Sequence, residues 1–112
     1  MGKLSTHVLD QSHGKPADGM KVELFLNGEP VKSLVTNADG RTDEPLLEDD
    51  DFTEGAYMLV FHVGDYYESI GHADAGVFLD TVPIAFSVSD ANQRYHVPLL
   101  VTPWSYSTYR GS

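Results

Sequence analysis

Apolar and polar residues alternate in several short runs of this chain, and the alternation is the strongest constraint on its fold. A period of two puts every second side chain on the same face of an extended strand, so each run predicts a strand with one buried face. The main apolar rows are Leu4 and Val8; Met20, Val22, Leu24 and Leu26; Tyr57, Leu59, Phe61 and Val63; Val82, Ile84, Phe86 and Val88; and Tyr95, Val97, Leu99 and Val101.

Turn-forming residues separate these runs at regular spacing. Asn27-Gly28 is a strong hairpin signal, and Val31 to Thr36 returns as the next strand before the turn Asn37-Ala38-Asp39-Gly40. A last run, rich in aromatic and hydroxyl side chains, follows the break at Thr102-Pro103. The pattern predicts an all-β chain, namely an antiparallel β-sandwich of seven or eight strands that forms one domain over residues 1–112.

Two segments depart from the strand pattern. Asp65 is followed three residues later by Glu68, as in a capping box, and Gly71 is a typical helix terminator. The sequence therefore predicts one short helix over Asp65 to Gly71. The acidic run from Glu48 to Asp51 disfavours packing and predicts a solvated loop.

Composition argues against several classes of partner and of chemistry. Seven Lys and Arg against 17 Asp and Glu give a net charge of −10, which is unfavourable for binding nucleic acid or an anionic membrane. Since the chain has no cysteine, it has neither a disulfide framework nor a thiol nucleophile. No run of about 18 apolar residues is present, and Met1-Gly2-Lys3 leads directly into a strand. We predict a cytoplasmic protein, or a mature form from which a leader has been removed.

Two histidines stand out by their position. His7 and His96 each lie in a predicted strand but point away from its apolar row. Arg41 comes directly after a turn, next to the end of a strand, and from there its side chain can reach into a cleft. An isolated strand histidine is more often structural than functional, so position alone leaves both readings open. His13 is predicted to be a solvent-exposed loop residue, and His72 to cap the helix or, less often, to bind a metal.

No metal or cofactor motif is evident. The histidines lack the close spacing that usually supplies two zinc ligands from one element, and the acidic run lacks the glycine of a calcium loop. No nucleophile-elbow or phosphate-binding glycine motif is present either. We therefore expect neither a metal nor a cofactor.

Three segments together carry a family resemblance. The closing segment, His96-Val97-Pro98-Leu99-Leu100 followed by Tyr106 to Ser112, resembles the closing signature of the 5-hydroxyisourate hydrolases, a purine-catabolic family related to transthyretin. Leu4 to Asp10 resembles the opening of that family, and Thr36 to Thr42 its middle motif. The chain departs from the family pattern at Val77-Phe78-Leu79-Asp80 and at Trp104-Ser105, which affects loops rather than these motifs.

The resemblance implies a transthyretin-like fold, a homotetramer with sites at a dimer–dimer interface, and a small-molecule substrate, 5-hydroxyisourate. The implied reaction is its hydrolysis to 2-oxo-4-hydroxy-4-carboxy-5-ureidoimidazoline on the route from urate to allantoin. The implied catalytic residues are His7, Arg41, His96 and Ser112, and the implied substrate-binding residues are His7, Arg41, Tyr109 and Arg110.

The chemistry of such a reaction suits these residue types. Hydrolysis of a ring amide needs a base for water, donors for the oxyanion and an acid for the leaving nitrogen. Histidine exchanges protons near neutral pH, and arginine offers a planar fork of donors to an oxygen-rich anion. We assign proton transfer to His7 and His96, leaving open which is the base, and oxyanion stabilisation to Arg41.

Two other functions compete with this one. A non-enzymatic carrier of small hydrophobic ligands, like transthyretin itself, has the same fold, but an apolar channel has no use for His7, Arg41 and His96. An acidic adhesion module would carry exposed aromatic residues without clustered His and Arg. For the closing segment, the competing interpretation is a solvated end in which Gly111-Ser112 is an expression remnant.

Overall fold

Two β-sheets packed face to face make up most of the protein in a computed structural model, which describes residues 1–111. The strands are β1 (Lys3–Asp10), β2 (Lys15–Pro16), β3 (Lys21–Leu26), β4 (Glu29–Val35), β5 (Leu47–Glu48), β6 (Gly55–His62), β7 (Thr81–Val88), β8 (Arg94–Val101) and β9 (Tyr106–Thr108). One helix, α1 (Val63–Ser69), follows β6, and a single 3-10 turn spans Asp49–Asp51.

The strands are divided between two layers. The first sheet has the order β2-β1-β8-β9, with β5 also paired to β1, and the second sheet has the order β4-β3-β6-β7. The predicted β-sandwich with one short helix is confirmed, and seven of its strands have three residues or more. All strand pairs are antiparallel except β1 and β8, which run parallel over their whole length, from Lys3 opposite Arg94 to Asp10 opposite Val101.

The core lies between the sheets and is formed by the predicted apolar rows. Fully buried side chains come from both layers, including Val8 and Leu99 of the first sheet and Val22, Leu59 and Phe61 of the second. Because neighbours along a strand point to opposite faces, burial of these rows turns the intervening residues of β1 and β8 outward. The outer face of the first sheet therefore receives the two strand histidines.

The connections between the strands agree only in part with those predicted from the sequence. Asn27 and Gly28 both have positive φ, 51° and 84°, as a two-residue hairpin turn of type I′ requires. Residues Glu48–Asp51 are exposed as predicted, but the segment around them is not a simple loop. Leu46, Leu47 and Phe52 are buried on either side of the acidic run and fasten it to the core.

The helix begins two residues earlier than predicted. The residue before its first turn is His62, whose side chain makes no capping hydrogen bond, and Asp65 lies within the first turn. Packing explains the difference, because Val63 continues the buried row of β6 into the helix and is fully buried. Asp65 still stabilises the helix, because a negative charge in the first turn interacts favourably with the helix dipole. Among residues 1–111, no helix is long and apolar enough to cross a membrane.

A fully buried carboxylate at the end of β1 ties the helix to the first sheet. Asp10 accepts hydrogen bonds from the hydroxyls of Tyr66 and Tyr67, both at 2.8 Å. It also accepts from the backbone amides of Ser12 and His13 and, at 2.8 Å, lies against Nδ1 of His13. Burial alone raises the pKa of Asp10, but the hydrogen bonds from Tyr67, Tyr66 and His13 outweigh it and hold the pKa below its ordinary value. His13 is exposed, as predicted, yet it takes part in this network.

Replacing this carboxylate is expected to destabilise the fold. Asp10→Asn leaves the tyrosine hydroxyls with a weaker, neutral acceptor and should lower the free energy of unfolding by about 2–4 kcal/mol. A folded-state pKa below the unfolded value of about 3.9 means that the stabilisation is complete above that pH and is lost as pH falls through the folded value. The difference between the two proteins, measured by urea unfolding, should therefore shrink below about pH 4. Asp50→Asn, at an exposed position, is the control and should change stability by less than about 0.5 kcal/mol.

Candidate active site

The outer face of the first sheet brings together polar side chains that the sequence separates by about ninety residues. In the parallel pair, Ser5 lies opposite His96 and His7 opposite Pro98. Residues that pair in this way point to the same side of a sheet, so His7, Ser5 and His96 share the outer face. All three are half-buried.

The turn after β4 fixes the orientation of His7. Its Nε2 lies 2.8 Å from the backbone carbonyl oxygen of Asp39. A carbonyl oxygen only accepts hydrogen bonds, so Nε2 of His7 carries a proton and Nδ1 is the nitrogen left to exchange one. The turn is fastened to β1, because the amide of Val8 donates to the carbonyl of Gly40 at 2.7 Å. Gly40 has φ of 74°, and a Cβ there would lie 2.3 Å from the Val8 carbonyl oxygen, so only glycine fits.

Arg41 follows that glycine, and its backbone is held in place by Asn37. The amide of Asn37 donates to the Arg41 carbonyl at 2.7 Å, and the Asn37 side-chain oxygen accepts from the amides of Asp39 and Arg41. The Arg41 side chain is exposed and borders a surface depression that Ser5 also lines. The turn thus presents a cation with a fixed backbone beside the two histidines.

His96 lies between Ser5 and the end of the chain. The Ser5 hydroxyl is 2.8 Å from Nδ1 of His96. Burial lowers the pKa of His96 below its ordinary value, and the charges of Arg41 and His7 lower it further, because each disfavours a second positive charge nearby. His96 is therefore a neutral imidazole at neutral pH, the form that can accept a proton.

The closing segment forms an ordered edge of the same sheet. β9 pairs with β8, and beyond it the amide of Gly111 donates to the His96 carbonyl at 2.7 Å. A Cβ on Gly111 would lie 2.9 Å from Cδ2 of His96, so the His96 ring packs directly against the glycine. The register of β9, continued to the bridge between Gly111 and His96, places Tyr109 opposite Pro98 and so on the outer face, and its side chain is exposed.

Arg110 points to the other side of the sheet. Its guanidinium carbon lies 3.8 Å from the centre of the Tyr95 ring, and Nη2 donates to the Gln93 side chain and to the Arg94 carbonyl, each at 3.0 Å. Tyr95 belongs to the buried row, so Arg110 covers a cavity of about 320 Å³ at the open edge of the sandwich. His7, Arg41 and His96 are thus brought together. Tyr109 is placed on their face by strand register and also lines the cavity beside Arg110, whose guanidinium lies away from the histidines. The predicted Ser112 lies outside the described residues.

Comparison with models of known protein families shows to which family this chain belongs. A model of the HIUase/Transthyretin family matches residues 4–111, nearly the whole sequence. The chain belongs to the HIUase/Transthyretin family. The family resemblance predicted from the three sequence segments is confirmed.

Curated relatives support this membership over their full length. The chain is 50% identical over 117 aligned positions to a 5-hydroxyisourate hydrolase of Pseudomonas aeruginosa, covering 100% of this chain and 93% of the relative. It is 52% identical over 113 positions to a 5-hydroxyisourate hydrolase of Deinococcus radiodurans, covering 97% and 95% respectively.

Solved structures of the family have the same fold. The structure of Klebsiella pneumoniae 5-hydroxyisourate hydrolase matches with a TM-score of 0.84 and 36% identity, covering 98% of this chain and 99% of that one. The crystal structure of (S)-allantoin synthase matches with a TM-score of 0.94 and 44% identity, covering 99% of this chain. This chain spans only 44% of the length of that second structure.

Sequence reasoning missed two groups that shape the site in this member of the HIUase/Transthyretin family, the Ser5 hydroxyl and the Asp39 carbonyl. It included Gly111 only as part of the closing segment and did not predict its position beside the His96 ring. The alternation in β1 did place Ser5 on the side of His7, but nothing local signals that β8 lies in register beside it. Among residues 1–111, no three His, Asp or Glu side chains are grouped so that they could hold a metal ion.

The position of Arg41 gives a testable prediction about His96. Removing the guanidinium with Arg41→Ala takes away a charge that disfavours imidazolium, so the pKa of His96 should rise toward its ordinary value of about 6.5. Titration of the His96 ring protons by NMR measures the change. Lys32→Ala removes a cation from β4 in the second sheet and should leave the pKa of His96 as it was; an equal rise in both variants would rule out the local effect of Arg41.

Proposed function

We propose that this chain hydrolyses 5-hydroxyisourate to 2-oxo-4-hydroxy-4-carboxy-5-ureidoimidazoline, a step in the degradation of urate to allantoin. The observation that carries the proposal is the convergence of His7, Arg41 and His96 on one sheet face, in a chain about half identical to full-length relatives named for this activity. A carrier of apolar ligands would gain nothing from two outward histidines beside an arginine. The direct test is to generate 5-hydroxyisourate in place with urate oxidase and to follow its disappearance with and without the protein.

His96 is the base in the proposed mechanism. Its lowered pKa keeps the ring neutral, and Nε2 is the nitrogen not engaged by Ser5. Nε2 takes a proton from water, and the resulting hydroxide forms a bond to the carbonyl carbon of the ring amide. The electron pair of the C=O bond moves to oxygen and gives a tetrahedral oxyanion.

Arg41 and His7 complete the cycle. Arg41 stabilises the developing oxyanion, because a guanidinium stays charged and offers several N–H donors. When the oxyanion reverts to C=O, the bond from carbon to the ring nitrogen breaks and that nitrogen takes up a proton. In this step His7 acts as the imidazolium: it gives the proton on Nδ1 to the ring nitrogen and is left neutral, with its Nε2 proton still donated to the Asp39 carbonyl. The proton that His96 removed from water returns through solvent to His7, so no co-reactant other than water is consumed.

The closing segment has a supporting part in the proposal. Strand register places Tyr109 on the histidine face, where it would orient the substrate or the attacking water. Arg110 and Ser112 enter only through the family resemblance, as a substrate-binding and a catalytic residue respectively. In the described chain Arg110 is engaged by Tyr95 and Gln93, so its role in substrate binding requires that it leave these partners.

A homotetramer and a cytoplasmic location are further parts of the proposal. β7 and β9 each end one of the two sheets, so each has one edge without a strand partner within residues 1–111. Exposed Trp104 lies just before β9, and exposed Tyr106 is its first residue. A second copy can cover such edges and apolar side chains. We expect light scattering at micromolar concentration to give about four times the 12.3 kDa of one chain, and a species of 12.3 kDa alone would contradict the assembly.

Substitution of the three site residues should abolish most of the activity. His7→Asn, Arg41→Ala and His96→Asn should each lower turnover of 5-hydroxyisourate by about 10²-fold or more, because each removes a group that acts in the transition state. The combined variant should lose much less than the product of the single losses. Initial rates on freshly generated substrate, with melting temperature as a check of folding, provide the measurement.

Controls separate the site from the rest of the protein. His62→Asn replaces a histidine that contacts Glu23 on the second sheet and should keep wild-type turnover. Arg110→Ala belongs in the same series, since a loss of turnover without a loss of stability supports a role in substrate binding. If all three single variants of the site stay near wild-type activity, the proposed mechanism is wrong.

A further inference from the structure

Among residues 1–111, Ser5 supplies the one hydroxyl that hydrogen-bonds to a histidine ring of the candidate site. Its Oγ lies 2.8 Å from Nδ1 of His96 across the parallel pair of β1 and β8, although 91 residues separate the two in sequence. Within residues 1–111, this contact is the only side-chain hydrogen bond of either residue. The contact thus occupies one ring nitrogen of His96 and leaves Nε2 without a hydrogen-bond partner among residues 1–111.

We propose that Ser5 is a positioning residue for this reaction, holding the His96 ring so that Nδ1 carries a proton and Nε2 is the nitrogen that accepts one from water. The inference rests on the proposed function and adds to it a residue that acts through His96 without touching the substrate. A hydroxyl suits this task because it accepts a hydrogen bond from Nδ1–H both in the neutral ring and in the imidazolium.

The ring is constrained on both of the atoms that flank Cγ. Ser5 engages Nδ1 on one side, and on the other side Cδ2 packs over Gly111, where a Cβ would approach it to 2.9 Å. A half-turn of the ring about χ2 would exchange these two atoms. It would place a carbon against the hydroxyl and lose the hydrogen bond, so the two contacts select one ring orientation.

His7 is held by a backbone carbonyl rather than by a hydroxyl, and the two histidines are engaged at different ring nitrogens. The Asp39 carbonyl engages Nε2 of His7 and leaves Nδ1, whereas the Ser5 hydroxyl engages Nδ1 of His96 and leaves Nε2. A carbonyl fixes a single tautomer, because it can only accept. A hydroxyl both donates and accepts, so by itself it permits either tautomer of His96. The proposal specifies the tautomer in which the Ser5 hydroxyl accepts.

The tautomer of His96 is the most direct readout. Long-range 15N correlations in NMR spectra distinguish a protonated from an unprotonated ring nitrogen, at a pH above the His96 pKa. We expect wild type to show protonated Nδ1 and unprotonated Nε2, Ser5→Ala to show averaged nitrogens, and Ser5→Thr, which keeps the hydroxyl on a strand-compatible side chain, to restore the wild-type pattern. A wild-type His96 with protonated Nε2, or an unchanged pattern in Ser5→Ala, would overturn the proposal.

Turnover gives the second readout. Ser5→Ala should lower kcat about tenfold with little change in KM, because a loosely held base is misplaced in the transition state while substrate binding is retained. Ser5→Thr should recover most of the loss, and Ser33→Ala, in β4 of the second sheet, is the matched control.

A double-mutant comparison separates positioning from a purely structural role. In the His96→Asn background, Ser5→Ala should cost nothing further, since its effect passes through the imidazole. A tenfold loss that persists in that background means that Ser5 acts elsewhere and overturns the proposal. If wild type does not hydrolyse 5-hydroxyisourate at all, the proposed function fails, and the NMR tautomer still decides whether Ser5 positions His96.

Discussion

The parallel pairing of β1 with β8 is the contact on which the rest of the structure depends. It joins the first and the last long strand of the chain in one register, so a single set of hydrogen bonds decides which of their side chains face the core. The inward set includes Val8 and Leu99, and the outward set includes His7 and His96. A slip of either strand by one residue would turn that strand over, burying its histidine and exposing its apolar row. Core packing and site geometry are therefore specified together.

Much of the fold could be predicted from sequence, because alternation and turn residues are local signals. The apolar rows, the Asn27-Gly28 hairpin and the outward direction of both histidines follow from them. The start of the helix could not be predicted from these signals, because burial of Val63 outweighed the capping signal at Asp65. Local patterns also give no register between distant strands, so neither the parallel pair nor the contact between Ser5 and His96 could be read from them.

The candidate site, like the fold, could be predicted only in part from the sequence. The residue types that could do the chemistry were evident from the sequence, and the family resemblance selected among them. Their environment was not evident, because it consists of backbone groups and of contacts across the sheet, such as the Asp39 carbonyl and the position of Gly111 beside His96. The direction of Arg110 depends on strand register in β9 and on the open edge that exposes the Tyr95 ring.

Local charges, rather than the net charge of −10, set the character of the site. Distant exposed carboxylates are screened over about 8 Å at physiological salt, whereas Arg41 and His7 act on His96 directly. Burial is the largest cause of the lowered pKa of His96, and Arg41 and His7 lower it further, which favours the neutral ring that a base must have before it accepts a proton.

The central claim, that the sheet face makes His96 the general base, is tested most directly by the pH dependence of kcat/KM. For a base, kcat/KM falls as pH drops through the pKa of the free enzyme. The account predicts an acidic limb centred below pH 6.5, the ordinary value for histidine, and equal to the pKa of His96 measured by NMR in the same protein. Full kcat/KM at a pH well below that NMR value would show that the reaction proceeds with His96 protonated, and would contradict the account.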